Sequence, residues 1–357
     1  MGNVQNQARL VAVVDPHPPE RGSAAASAGV PWFADLEALL ASELVVDVAV
    51  LCTPLPTHAP LTTTLLRAGI DVLLEKPPTT TLAEFTGLCT TETETGRLCQ
   101  VGFQSLGSAA LAAVEALVAD GAIGEVRHIG AAGTWVRPTS YWRRARWAGR
   151  RALDGRPVVD GVCTNPLAHA VATALRLAGA RRVEDLTNTE VELFRANDIE
   201  ADDTSSLVLT SRTGLRIAAA LTLCAPVSTD PWVALYGTSG LVRLHYTRDE
   251  VSLELAGRAP VVSRYDRTDL LANLLAARQR GEALLNPLAD NGAFMAVLEA
   301  VRVAPDPTPI DPALISWQPA VGAGAVDVHP VVSGVTEAVH RVASTGTGFR
   351  AVKAPWA

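Results

Sequence analysis

The first hundred residues repeat one pattern, in which a short, continuous apolar run alternates with a segment of helical periodicity. The expected strands are 10–15, 46–52, 70–74 and 97–103, and the expected helices begin near Asp35 and span 57–68 and 81–95. Strands that are apolar throughout, instead of alternating, are typical of a parallel sheet covered on both faces. The alternation therefore predicts an α/β region built on a doubly wound parallel sheet.

After Phe103 the pattern changes, and strand-like segments follow one another with few helices between them. A helix is expected at 107–120, with Ser108 as its cap and Gly121 at its end. Strands are expected at 125–135, 187–195, 204–211, 215–224, 232–236 and 241–255, and helices at 165–178, 267–280, 288–303 and 331–344. The segment 211–214 predicts a hairpin turn. We expect two domains, 1–103 and 104–357, the second an α+β domain with a largely antiparallel open sheet.

The composition restricts the class of protein. The 357 residues are 48% hydrophobic and 19% charged, with a net charge of −7, a balance that disfavours a nucleic-acid-binding protein. No run of about 18 apolar residues predicts a membrane helix, and the N-terminus lacks a secretory signal pattern. The five cysteines are odd in number and lack CxxC spacing, so we expect reduced core residues and neither a disulfide nor a metal site. Together these features predict a cytoplasmic protein.

The strongest local motif is the end of the strand at 70–74, where an apolar run stops at Glu75-Lys76-Pro77-Pro78. Ligands of doubly wound sheets bind beyond the carboxyl ends of the strands, and Lys76 falls at that edge. Partial burial there would tune its pKa for proton transfer. The alternative is a solvated Glu–Lys pair before a turn. Thr53-Pro54 follows the preceding strand in the same way and leads to His58, for which the alternative is a structural helix cap.

A second candidate is Asn165-Pro166 with His169. Asn is a good N-cap and Pro suits the first helical position, so we expect a helix that begins at Asn165. Residues 165 and 169 would then share a helix face, which places an imidazole beside an amide. Such an imidazole can act as a general acid or base. The alternative is a helix cap and an unrelated core histidine.

Two further segments are rich in charge. Residues 137–156 contain seven arginines among aromatic residues, and Tyr141, Arg143, Arg146 and Trp147 are candidates for binding a sugar ring or an anion. The alternative is a solvated loop whose arginine stems cover an interface. The acidic run at 197–203 lacks the ligand spacing of a calcium loop, so we expect a solvated turn before a strand.

Taken together, the chain resembles the Gfo/Idh/MocA family, named for glucose–fructose oxidoreductase and inositol dehydrogenase, over essentially its whole length. The motifs that carry the resemblance are Val48–Pro54 with His58, Gly69–Pro77, Val101-Gly102-Phe103, Gly121–Val126, the helix bearing His169, and Tyr236–Gly240. The resemblance implies a Rossmann domain that binds NAD or NADP, followed by an α+β domain for substrate binding and oligomer contacts. It also implies hydride transfer at a carbinol carbon of a sugar, cyclitol or related polyol.

The resemblance assigns roles to particular residues. Lys76 corresponds to the family's catalytic lysine, which contacts substrate and cofactor and precedes a peptide bond that is often cis. His169 corresponds to the proposed acid/base histidine, and Asn165 occupies the position of a residue that is usually Asp. Thr53, Pro54, His58, Glu75 and Lys76 fall where relatives line the dinucleotide site. The family's sheet face implies a homodimer or homotetramer. Asn165 cannot take up a proton, so the resemblance also leaves open a non-redox NAD-dependent glycosidase or an inactive dinucleotide- or sugar-sensing protein.

The start of the chain departs from the family pattern. The strand at 10–15 ends in Asp15, whose carboxylate is expected to bind a ribose hydroxyl and so to favour NAD over NADP. The GxGxxG turn that normally lies about 20 residues earlier is missing, since only 14 residues precede Asp15. We expect that roughly 20 residues are absent from the start, with a genuine short form as the alternative. In either case the strands at 10–15 and 46–52 would pair directly or leave unpaired backbone between them.

Overall fold

The computed structural model of the protein describes residues 7–320 and 327–357. In its first part, strands and helices alternate, and the expected elements follow one another in order, with an additional short helix and short strand between residues 24 and 33 that were not expected. The elements are β1 (Val13–Val14), α1 (Ala24–Ser27), β2 (Trp32–Phe33), α2 (Leu36–Leu40), β3 (Val48–Leu51), α3 (His58–Arg67), β4 (Asp71–Leu74), α4 (Leu82–Thr95) and β5 (Cys99–Val101). The Rossmann-like α/β class is thus confirmed, although the strand expected at 10–15 is only two residues long.

The helix ends follow from capping chemistry. The side chain of Asp35 accepts a hydrogen bond from the backbone N–H of Ala38, and Thr81 accepts one from Glu84, so both helices start where a polar side chain satisfies a free donor. Gly96 ends α4 with φ of 62°, a left-handed conformation that is costly for a residue with a Cβ.

The strands of the first part form two separate parallel sheets, one of β1 and β2 and one in the order β3-β4-β5. Within the described residues β1 pairs only with β2, and β3 pairs only with β4. Direct pairing between the strands at 10–15 and 46–52, one of our two expectations, therefore does not occur. One edge of β3 has no strand partner in the described part of the chain, and Val50 on that strand is 55% exposed.

The second part is built around a single wide sheet. Its elements are α5 (Ala110–Ala119), β6 (Val126–Thr134), β7 (Ala152–Leu153), β8 (Arg156–Pro157), α6 (Ala168–Leu177), β9 (Leu186–Arg195), β10 (Thr204–Ser211), β11 (Arg216–Thr222), β12 (Trp232–Gly237), β13 (Gly240–His245), β14 (Glu250–Leu255), β15 (Val261–Arg264), α7 (Leu270–Arg280), α8 (Gly292–Val303), β16 (Thr308–Pro309), β17 (Ile315–Pro319), β18 (Val328–Val332) and α9 (Val335–Thr345). The strand order is β15-β14-β13-β12-β6-β11-β10-β9-β16.

This nine-stranded sheet is antiparallel except where β6 meets β11 and where β9 meets β16, which confirms the largely antiparallel prediction. The hairpin expected at 211–214 joins β10 to β11. The single strand expected at 241–255 is wrong, because the chain reverses between β13 and β14. The turn contains neither Gly nor Pro, and Asp249 adopts the left-handed conformation there with φ of 52°. β15 was not expected at all.

The sheet has apolar cores on both faces. Helices α5, α6 and α8 pack on one face, around buried residues such as Val114, Leu175 and Leu298. On the other face α9 and the C-terminal tail, with Phe349 and Trp356, cover β6 and β11. A Cβ at Gly130 of β6 would overlap a backbone carbonyl of α9, so glycine is what allows the helix to approach so closely.

Three local expectations need correction. Helix α6 begins at Ala168, not at Asn165, which lies in the preceding turn and is not its N-cap. The acidic run ends in two buried carboxylates, Asp202 and Asp203, and is not a solvated turn throughout. Of the five cysteines, all free, Cys52 is exposed and therefore not a core residue. In the described part of the chain no helix is long and apolar enough to cross a membrane.

Candidate active site

A cavity of ≈ 170 Å³ lies at the carboxyl ends of β3 and β4, between these ends and the segment that leads into α6. Its lining residues are Thr53, Pro54, Leu55, Pro56, His58, Glu75, Lys76, Pro77, Trp147, Val158, Val159, Asp160, Thr164 and Asn165. The carboxyl edge of a parallel sheet is where ligands of doubly wound folds bind. The structure thus brings together the strand-end motifs and the turn before α6, which are far apart in sequence.

Lys76 projects from the end of β4 to the opposite wall of the cavity. Its Nζ donates to the side-chain Oδ1 of Asn165 at 2.7 Å and to the backbone carbonyl of Asn165 at 3.0 Å. Burial lowers the pKa of Lys76 from its ordinary value near 10.5, and the neighbouring carboxylate of Glu75 opposes that shift. The Lys76–Pro77 peptide bond is cis, as expected.

Asn165 connects Lys76 to a carboxylate. The amide nitrogen of Asn165 donates to Oδ1 of Asp160 at 2.6 Å. Asp160 is only 3% exposed, and its Oδ2 accepts from the backbone N–H of Gly149 at 2.8 Å and from the Arg144 guanidinium at 3.1 Å. Neither Asp160 nor Arg144 was predicted from the sequence to be a functional residue.

The guanidinium of Arg144 stacks between two aromatic rings, 3.7 Å from the ring centre of Tyr141 and 4.5 Å from that of Trp147. A weakly hydrated, planar cation is well suited to such stacking. The stack joins the aromatic segment to Asp160 and hence to Asn165 and Lys76.

His169 lies in the first turn of α6 and is not among the residues that line the cavity. Its Nδ1 is 3.2 Å from the hydroxyl of Ser105, which in turn accepts a hydrogen bond from Thr173. The ring packs edge-on against Phe103, with 5.4 Å between ring centres. Burial, reinforced by the positive charges of Lys76 and Arg267, lowers the pKa of His169 to about 3. The imidazole is therefore neutral near pH 7.

His58 lies at the start of α3 and is buried. Its Nδ1 is 2.9 Å from the carbonyl of Pro77, and its Nε2 is 2.9 Å from the carbonyl of Thr53. The ring thus links the turns that follow β3 and β4. Burial lowers the pKa of His58, whereas the two carbonyls act in the opposite direction.

The remaining predicted cofactor residues are split between two places. Thr53, Pro54 and Glu75 lie at the cavity, and burial raises the pKa of the Glu75 carboxyl. Asp15 follows β1 as expected, but it is exposed, it is not a lining residue, and its carboxylate accepts the backbone N–H of His17 at 2.8 Å.

The predicted substrate residues are also divided. Trp147 and Asn165 line the cavity. Tyr141 lies beneath Arg144, and Arg143 lines a separate depression that includes Trp317. Arg146 is 77% exposed and forms an ion pair with Asp154 at 3.3 Å. Across the described residues, no group of three or more His, Cys, Asp or Glu side chains is arranged to hold a metal ion.

Two family models match the chain. The model described as "Oxidoreductase family, NAD-binding Rossmann fold" matches residues 1–103, and the "GFO/IDH/MocA C-terminal domain" matches residues 111–243.

Known proteins resemble the chain over different lengths. An inositol 2-dehydrogenase of Rhizobium meliloti (strain 1021) is 26% identical over 311 residues, which are 82% of the chain and 88% of the relative. An inositol 2-dehydrogenase of Rubrobacter xylanophilus is 38% identical over 118 residues, 33% of the chain and 34% of the relative. A relative from Amycolatopsis mediterranei is likewise matched over only 39% of its length.

Among solved structures, the WlbA dehydrogenase from Bordetella pertussis, in complex with NADH and UDP-GlcNAcA, superposes with a TM-score of 0.68 at 22% identity. The match covers 83% of the chain and 88% of that structure. At this identity the likeness establishes the fold.

Proposed function

The chain belongs to the Gfo/Idh/MocA family of oxidoreductases, and we propose that it transfers a hydride between a nicotinamide and a carbinol carbon of a sugar, cyclitol or related polyol. The observation that carries the proposal is the Lys76 ammonium, which lies at the carboxyl edge of a parallel sheet and is bound to Asn165 across a cavity. That is where a dinucleotide fold presents its ligand to a substrate domain.

We propose Lys76 as the group that moves the hydroxyl proton. When bound, NAD would accept the hydride at C4 of its nicotinamide. The O–H bond of the carbinol then breaks, its electrons form the carbonyl, and its proton passes to Nζ of a neutral Lys76. A base works best when its pKa lies near the working pH, and burial shifts the pKa of Lys76 in that direction.

His169 and Asn165 would have supporting roles in this scheme. A pKa of about 3 makes the His169 imidazole a weak proton acceptor near pH 7, so we assign it a hydrogen bond to the substrate instead of the main proton transfer. The Asn165 amide holds the lysine and can bind a sugar hydroxyl. Trp147 supplies apolar surface to the cavity. Tyr141, Arg143 and Arg146 remain our candidates for the outer part of the substrate.

The cofactor would lie along the strand ends. The Thr53 hydroxyl and the Lys76 ammonium supply donors at the cavity, Glu75 supplies an acceptor for a ribose hydroxyl, and Pro54 and His58 shape the turns. These donors and acceptors fit the nicotinamide–ribose half of NAD. We infer that Asp15, beyond the carboxyl end of β1, favours NAD over NADP because a carboxylate repels a 2′-phosphate.

We further propose a cytoplasmic homodimer or homotetramer. Val261 and Val262 on the edge strand β15 are 61% and 55% exposed, and exposed apolar edges favour self-association. Light scattering on the purified chain tests this assembly, and a monomer at micromolar concentration would contradict it.

The test of the main function is a titration of the chain with NADH, followed by energy transfer from its seven tryptophans to the bound nicotinamide. Trp147 lies at the cavity, so binding there should quench its emission. A screen for NADH formation with myo-inositol and nucleotide sugars follows. Binding and NADH formation would support the proposal. Release of free sugar without net NADH would favour the glycosidase, and binding without turnover would favour the sensing protein. Absence of NADH binding would contradict both the oxidoreductase and the glycosidase.

A further inference from the structure

Asn165 has one hydrogen-bonding orientation that suits both of its neighbours. The ammonium of Lys76 can only donate, and the carboxylate of Asp160 can only accept. The Asn165 amide must therefore point its oxygen at Lys76 and its nitrogen at Asp160, with contacts of 2.7 Å and 2.6 Å. Reversing the amide would place like groups against each other on both sides.

Asp160 is itself held in place by the surrounding chain. Its backbone N–H donates to the carbonyl of Arg150, and its side chain accepts from Gly149 and Arg144. The preceding residue, Val159, has φ of 53°, which is strained for a β-branched residue. Such strain persists only where the surroundings enforce it. The backbone is thus fixed at the point that presents the carboxylate to Asn165.

A charged carboxylate behind the amide has an electrostatic consequence. Asp160 carries the negative charge that a neutral residue at position 165 cannot supply, and charge-assisted hydrogen bonds transmit its influence through the amide. Arg144 acts in the opposite sense, since it brings a positive charge to the same carboxylate. The protonation state of Lys76 then depends on both Asp160 and Arg144.

We propose that Asp160 is a positioning residue for Lys76: acting through the Asn165 amide, it holds the ammonium against the cavity wall and serves as its counter-charge. The inference rests on the proposed function insofar as Lys76 moves the proton there. If Asp160 served only to anchor Arg144 and the turn, removing its charge would change the titration of Lys76 only by disturbing the local fold.

The chain offers a direct way to observe this lysine. Lys76 and Lys353 are its two lysines, so protein labelled with ¹³C at the lysine ε-carbon gives two signals, and Lys353→Arg assigns them. The titration requires neither cofactor nor substrate. It can therefore fail independently of the proposed function.

Asp160→Asn should lower the pKa of Lys76 by about one unit, because an opposite charge near the ammonium is removed. Asp160→Asn combined with Asn165→Asp should restore the pKa of Lys76. In this double exchange the carboxylate at position 165 contacts Lys76 directly, and the amide at position 160 can donate a hydrogen bond to that carboxylate. Asp154→Asn is the matched control. It removes a carboxylate from the same segment, but that carboxylate is exposed and pairs with Arg146, not with Arg144 or Asn165. This control should leave the Lys76 titration unchanged.

Arg144→Gln provides a test of opposite sign, which also serves if Asp160→Asn does not fold. Removing the cation should raise the pKa of Lys76, because Asp160 then acts on the lysine alone. Circular dichroism verifies folding of each variant. Titrations of Lys76 that coincide with the native curve in both Asp160→Asn and Arg144→Gln, or a double exchange that fails to restore it, would overturn the proposal.

Discussion

The two sheet regions of the molecule differ in how completely they are covered. The nine-stranded sheet has an apolar core on each face, and strands such as β10 and β11 contain runs of fully buried residues. The first part has a two-stranded and a three-stranded sheet. Of the eleven large hydrophobic side chains exposed in the described residues, six lie between residues 10 and 50: Leu10, Trp32, Leu40, Leu44, Val45 and Val50.

The difference shows how the site is divided. Lys76 follows β4 of the three-stranded sheet. Its side chain, however, is bound by Asn165 and, through Asn165, by Asp160, and both of these residues belong to the second part of the chain. The proposed cofactor-side groups Thr53 and Pro54 follow β3, which is partly exposed, whereas the groups that hold the lysine belong to the part of the chain built on the nine-stranded sheet. We infer that the substrate-side geometry is the more rigid of the two.

The largest expected effect comes from the side chain that joins the two regions. Lys76→Met should reduce turnover by about 10²–10⁴-fold, because proton transfer is lost while the apolar stem is kept. His169→Ala should lower turnover by a smaller factor, because only a supporting hydrogen bond to the substrate is lost. The measurement is NADH formation under saturating substrate. Lys353→Met, an exposed lysine at the far end of the chain, is the matched control. Rates near those of the native protein in either site variant would contradict the assignment.

A smaller effect compares the two sheets directly. Val→Thr keeps the shape of the side chain but replaces one methyl group with a hydroxyl. Val233 of β12 is 0% exposed, so Val233→Thr should lower the unfolding free energy by about 1–3 kcal/mol through a buried hydroxyl without a partner. Val50 of β3 is 55% exposed, and Val50→Thr should stay within about 0.5 kcal/mol.

Urea denaturation of both variants measures this pair. An equal loss in both would mean that Val50 is covered in solution, for instance by a second copy of the chain. The comparison between the two regions would then fail at that strand.

The features that could be predicted from the sequence are those with local determinants. The ends of α4 follow from Thr81 and Gly96, and the position of Lys76 follows from an apolar strand that stops at a charged pair. Capping side chains, left-handed glycines and strand ends all act within a few residues of the features they define. The family resemblance added the cis bond, which the structure contains, whereas the role of the lysine stays a prediction.

The rest depends on contacts between residues far apart in sequence. Asp202 looked like part of a solvated turn, yet its carboxylate is buried and accepts the backbone N–H of Val162 at 3.2 Å. A Cβ at Gly161 would overlap that carboxylate, so the two segments fit only with glycine there. No local pattern reveals such a partner. For the same reason the role of Asp160 was missed, and the turn that delays the start of α6 to Ala168 was misread as a capped helix.

The last expected effect concerns His169 and acid stability. Its folded pKa of about 3 lies below the ordinary value of 6.5, so between these limits the unfolded chain binds a proton that the folded chain does not. Stability should therefore fall as the pH decreases from 6.5 towards 3, by up to about 1.4 kcal/mol per pH unit from this group. His169→Gln cannot take up that proton, and it keeps a polar group near Ser105.

Unfolding free energies of both proteins at pH 7 and at pH 4 measure the contribution. The loss between the two pH values should be smaller for His169→Gln than for the native chain. The folded protein should keep His169 neutral on acidification, because the imidazole is buried and the nearby positive charges of Lys76 and Arg267 disfavour its protonation. An identical loss in both proteins would mean that His169 gains its proton without unfolding, and that the region around α6 admits water as readily as the smaller sheet.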